Sequence, residues 1–74
     1  MAISDKIKAL MKLRGRNNKD LADYLKISVQ ALSNKFYRDS YSGKELINIA
    51  AFLKCDIAFI ADETRINLTT DDLR

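Results

Sequence analysis

Histidine is missing from the 74 residues. Its absence removes the usual general base, the commonest metal ligand and the partner of serine and cysteine nucleophiles. The only glycines, Gly15 and Gly43, lie too far apart to form a phosphate-cradling loop. One cysteine, Cys55, excludes an internal disulfide and suits a reducing cytoplasm. It reads as a small buried hydrophobe. Proline is absent, and no stretch is repeated or low in complexity. The adjacent acid pairs Asp62-Glu63 and Asp71-Asp72 do not face one another in a helix or a strand, so neither is an acid–base couple. No catalytic residue, metal site or cofactor is expected, and the chain does not read as an enzyme. No apolar run is longer than Ile49 to Leu53, which falls far short of the ~20 residues that span a bilayer. The opening MAISDKIK lacks the apolar stretch of a secretory signal. A cytoplasmic location is expected.

What is present is an ordinary globular composition, 47% apolar, in a chain long enough for one domain with a thin core. The net charge of +3 is unevenly spread. Residues 1–54 carry eleven Lys or Arg against five acids, whereas residues 55–74 carry two against five. A basic body suits a polyanion, because Lys and Arg neutralise phosphates and release their counterions. It also suits an unevenly solvated surface, so charge does not decide between the two.

Periodicity predicts four helices. Ser4 is placed to cap the first, with Ile7, Leu10, Met11 and Leu13 on its apolar side and Gly15 just past its end. Its solvent side shows Lys6, Lys8, Lys12 and Arg14. Asn17 caps the second helix with Asp20 three residues on, and Ser28 opens the third. Ser42-Gly43-Lys44-Glu45 is a capping box leading into Leu46, Ile47, Ile49, Ala50 and Leu53, the floor of the core. Residues 57–61 and 65–69 read as strands of a hairpin around Asp62-Glu63-Thr64, with a fifth helix from Asp56 as the competitor. Tyr24 and Tyr41 read as packing residues with a polar tip.

The stretch from Asn17 to Tyr37 carries the functional signal. Two short amphipathic helices meet at a turn, the arrangement with which small domains enter a DNA groove. Leu21, Ala22, Leu25, Ile27, Leu32 and Phe36 form its core: Ala22 permits close approach, Leu25 and Ile27 fill the angle, Leu32 and Phe36 anchor the third helix. The opposite side of that helix then shows Val29, Gln30, Ser33, Asn34 and Tyr37. Amides bond adenine N6 and N7, and valine methyls meet a thymine methyl. An ordinary solvated helix face would carry Glu and Lys pairs instead.

On these residues the chain resembles the Cro/C1-type (XRE-family) helix-turn-helix domains of bacterial and phage regulators, which are lambda-repressor-like. The resemblance runs from about Ile3 to Leu53. It rests on Ala22, on Leu21, Leu25 and Ile27 around the turn, on Ser28 and Leu32, and on the following helix with Leu46, Ile49, Ala50 and Leu53. Lys26 stands where the family usually has glycine, which predicts positive φ at a cost of roughly 1 kcal/mol. The second anchor falls at Phe36, one residue later than in many members.

The resemblance implies a mainly α fold, a compact four-helix domain over residues 1–54, with residues 55–74 as a C-terminal extension suited to dimerisation. It implies a sequence-specific DNA-binding transcriptional regulator, a repressor acting by operator occlusion. Val29, Gln30, Ser33 and Asn34 would contact bases. Asn17, Asn18, Lys19, Ser28, Lys35, Arg38 and Lys44 would contact phosphates. The expected partners are double-stranded DNA with a palindromic operator and a second copy of the chain. So short a chain is expected to hold no ligand-sensing domain, which leaves control to concentration or a protein partner through residues 55–74. An antitoxin or protein-binding modulator of the same fold is the alternative.

Overall fold

The computed structural model describes residues 2–73. Four helices come first: α1 (Ile3–Arg14), α2 (Asn18–Leu25), α3 (Val29–Arg38) and α4 (Gly43–Phe52). Strands β1 (Ile57–Ala61) and β2 (Thr64–Leu68) follow, then a short 3-10 turn over Thr70–Leu73. The fold is mainly helical with a C-terminal antiparallel hairpin, as the sequence predicts; no helix forms from Asp56. Two compact units divide the chain, Met1–Tyr41 and Ser42–Arg74. No helix among the described residues is long and apolar enough to cross a membrane.

In the first unit, caps fix every helix end. Asn17 Oδ1 accepts from the Asp20 N–H at 2.8 Å while the Asp20 carboxylate accepts from the Asn17 N–H, a reciprocal capping box. Ser28 Oγ accepts from the Ala31 N–H at 3.0 Å. Helix α1 closes at Gly15 (φ 67°), where the N–H of Arg16 reaches the Met11 carbonyl. Helix α2 closes the same way at Lys26, whose φ is 60°. There the Ile27 N–H reaches Ala22 O at 3.0 Å and the Lys26 N–H reaches Asp23 O at 3.2 Å. These paired bonds turn the chain within three residues and set α3 against α2.

The left-handed backbone at Lys26 makes a test of the turn. Lys26→Gly is expected to stabilise the chain by about 0.5–1 kcal/mol, because glycine adopts this φ without a Cβ clash. A urea midpoint that rises shows the strain; one that falls shows that Lys26 carries none.

Two sequence expectations about α1 change. Ser4 does not cap it: the cap position is Ala2, which offers no side-chain bond, and Ser4 lies buried inside the first turn. Leu13 does not join the apolar side, being 73% exposed, while Ile7 and Met11 are buried. Around a helix Ile7 and Met11 share one face, and Leu13 sits two residues further on, about 200° away. In α2 and α3, Leu21, Ala22, Leu32 and Phe36 are buried.

In the second unit, Ser42 and Glu45 form their capping box, with bonds of 3.1 Å each way. Helix α4 buries Ile47, Ile49 and Ala50, and Leu53 is buried just past its end. It packs against β1 and the 3-10 turn. The hairpin pairs Ile57 with Leu68, Phe59 with Ile66 and Ala61 with Thr64. Thr64 therefore belongs to β2, and the connecting turn is Asp62-Glu63 alone, with Asp62 at φ 53°. An Asp tolerates this left-handed position better than most residues, which lets it stand in for the usual Asn-Gly. Cys55 is free and half-buried.

Candidate nucleic-acid interface

Helix α3 has two opposed stripes. Leu32 and Phe36, one turn apart, are buried, with Ala31, Lys35 and Asp39 half-buried beside them. Gln30, Ser33, Asn34 and Tyr37 follow the i, i+3, i+4, i+7 spacing of the opposite stripe, and all four are exposed. Val29 borders them at 45% exposure, and Tyr37 is 87% exposed. This stripe holds amides, hydroxyls and one branched apolar side chain, with no formal charge. Such a surface can donate and accept at once, which matching base edges requires and matching phosphates does not.

The first unit as a whole is basic, carrying nine Lys or Arg against four acids. Lys19 and Arg38 are exposed, whereas Lys35 is half-buried on the inner flank of α3. Lys8 holds its ammonium 5.1 Å from the centre of the Phe36 ring, so its stem and charge roof the α3 anchor. Ser28 uses its oxygen lone pair on Ala31 and keeps its hydroxyl proton for an outside acceptor. Asn17 has spent its carbonyl oxygen and its backbone N–H on Asp20, leaving its side-chain NH2. Asn18 is exposed at the first turn of α2. Lys44 is exposed in the first turn of α4, in the second unit.

One polar cluster escapes sequence reasoning. Asp39 ends α3 in the left-handed region (φ 53°), and its carboxylate caps the start of α1. Its Oδ1 accepts from the Ser4 N–H at 2.6 Å and its Oδ2 from the Ile3 N–H at 3.2 Å. The Ser4 hydroxyl lies 2.8 Å from the same carboxylate and 2.9 Å from the Phe36 carbonyl, and meets the Tyr41 hydroxyl. The Ser4 hydroxyl has one proton, so it donates to only one of these acceptors at a time. The partners are 35 residues apart in sequence, so no local spacing signals them. The result is a latch between the C-terminal end of α3 and the first turn of α1.

Hydrogen bonds from the Ser4 backbone and side chain hold the Asp39 carboxyl below its ordinary 3.8, with the Ile3 N–H adding to them. The folded state thus releases this proton more readily than the unfolded chain. The latch's contribution is complete above pH 3.8 and is lost as pH falls through the lower folded value. Asp39→Asn is expected to lower stability at neutral pH and to erase the difference from wild type below that window. Denaturant unfolding of both proteins from pH 7 to pH 2 checks it. A difference independent of pH would mean that the carboxylate charge contributes nothing.

A family model described as the bacteriophage CI repressor helix-turn-helix domain matches residues 5–67. The match covers α2, α3 and the turn between them, as well as α4 and most of the hairpin. No curated protein and no solved structure matches the chain.

Proposed function

The chain belongs to the bacteriophage CI repressor helix-turn-helix family and is a DNA-binding transcription regulator, and we propose that it represses by occluding a palindromic operator. The observation that carries this reading is the uncharged stripe of α3, with Gln30, Ser33 and Asn34 exposed in one row beside Val29. Laid in a major groove, Gln30 and Asn34 bond base edges, Ser33 adds a donor or acceptor, and Val29 packs on a thymine methyl. Asn17, Asn18, Lys19, Ser28, Lys35 and Arg38 hold the phosphates on either side, and Lys44 does the same from its own unit. Repression by occupancy needs no catalysis and no cofactor.

A single small domain makes few phosphate contacts, so useful affinity requires two copies on half-sites about 34 Å apart. Residues 1–54 are the DNA-binding part, and residues 55–74 join the two copies. The protein works in the cytoplasm, where the lone Cys55 stays reduced.

Selection of bound sites from random duplexes tests the proposal. The expected result is one enriched sequence with two-fold symmetry and half-sites about 10 base pairs apart. Equal recovery of all duplexes would refute sequence-specific regulation, and a single asymmetric half-site would refute the dimer.

A further inference from the structure

We infer that Ser4, Asp39 and Tyr41 are positioning residues for base reading: their latch fixes the last turns of α3, and with them the aim of Asn34 and Tyr37. The inference deepens the regulatory reading above and rests on it. It adds that discrimination at one end of α3 is set by groups that do not lie on the reading stripe.

The two ends of α3 are held by different means. At its start, Ser28 caps the helix and the closure at Lys26 ties it to α2. Those bonds all join residues within five positions of one another. At its end, the carbonyls of the last turn have no partner inside the helix, and such ends fray. Asp39 stops the helix at φ 53°, and its N–H returns to the Lys35 carbonyl at 2.9 Å. The Phe36 carbonyl is met from outside, by the Ser4 hydroxyl at 2.9 Å.

Helix α1 has the complementary lack. Its cap residue Ala2 offers no side-chain bond, and the Asp39 carboxylate takes the N–H groups of Ile3 and Ser4. Each helix supplies a cap that the end of the other needs. Tyr41, two residues past Asp39, meets the Ser4 hydroxyl and adds the segment leaving α3 to the cluster. Helix α1 grips the same turn a second time. Lys8, four residues on from Ser4 along one face, sets its ammonium 5.1 Å from the centre of the Phe36 ring. Both the backbone and the side chain of Phe36 are held from α1.

That grip fixes the rotation of the opposite stripe. Asn34 and Tyr37 lie within two residues of Phe36 and are exposed. A side-chain tip stands about 5–6 Å from a helix axis, so a turn of about 10° moves it about 1 Å. A recognition site has to be held within about 0.5 Å. Gln30 stands one turn nearer the Ser28 cap, where local bonds already hold the helix.

Base-pair scanning of the selected operator tests the inference. The probes are that duplex and its single-base-pair variants. Gln30→Ala and Asn34→Ala mark the base pairs read from each end of α3. Tyr41→Phe and Ser4→Ala then each remove one latch hydroxyl and leave the reading stripe unaltered. Both are expected to cut discrimination about 3- to 10-fold at the base pairs that Asn34 marks, part of the roughly 5- to 150-fold an amide supplies. At the base pairs that Gln30 marks, discrimination should stay within about twofold of wild type. Discrimination is a ratio of affinities, so a variant that is merely less stable loses the same factor on every duplex and keeps every ratio. Unchanged ratios at the Asn34 base pairs, or equal flattening at both sets, would overturn the inference and leave the regulatory reading standing. Equal binding of all duplexes by wild type defeats that reading, and the inference with it.

Discussion

Leu32→Ala is expected to cost about 2–5 kcal/mol of folding stability, the range for deleting a buried leucine side chain and leaving part of its cavity behind. Leu32 is wholly buried on α3, with Phe36 one turn along the same stripe. At roughly 0.05–0.15 kcal/mol per residue, a chain of 74 residues holds only about 4–11 kcal/mol in all. One truncation therefore removes a large share of the total. Urea denaturation followed by circular dichroism measures it. Leu13→Ala makes the matched control, since the same chemical change at a side chain 73% exposed should fall within about 0.5 kcal/mol. Similar costs at the two positions would contradict the close packing of α3 and the outward setting of Leu13.

Gln30→Ala and Asn34→Ala are each expected to weaken binding to the selected operator by about 1–3 kcal/mol, roughly 5- to 150-fold in Kd. The loss should vanish on unrelated duplexes. Both side chains are exposed one turn apart on α3, so truncating them leaves the buried stripe of Leu32 and Phe36 untouched. Stability should stay within about 0.5 kcal/mol of wild type, which separates loss of recognition from loss of fold. Lys19→Ala gives the contrast. A phosphate contact carries no sequence information, so that change should weaken every duplex and lower the slope of log K against log salt by about 1. Titrations on cognate and scrambled duplexes at several salt concentrations read all three. An amide variant that lost affinity equally on both duplexes would place its side chain against the backbone, and the base-reading role of α3 would fail for that residue.

Much of this molecule is legible locally, for a common physical reason. Caps, closures and amphipathic stripes are decided by residues within four or five positions of one another. Asn17 with Asp20, Ser28 with Ala31, and Ser42 with Glu45 all form the bonds that their spacing implies. Lys26 takes the left-handed φ that a three-residue turn demands, glycine or not. The exposed row on α3 follows from the buried one, because fixing Leu32 and Phe36 inward leaves Gln30, Ser33, Asn34 and Tyr37 outward.

Where the deciding partner is far away in the chain, sequence runs out. Ser4 looks like a cap, and its hydroxyl instead completes a latch with Asp39 and Tyr41 that exists only once α3 ends beside the start of α1. Leu13 stands three residues past Leu10 but about 200° around the helix from the buried Met11, and how far the covered face reaches beyond Leu10 is set by what packs on α1. The apolar residues of 57–61 fit a helix or a strand until pairing with 64–68 settles the choice, because a strand's hydrogen bonds lie with its neighbour. The sequence by itself determined four helices, the caps of α2, α3 and α4, the turn between α2 and α3 and the amide face of α3, all of them short-range. Tertiary structure alone decided the Asp39 latch, the outward Leu13 and the hairpin register, since each depends on groups that only folding brings together.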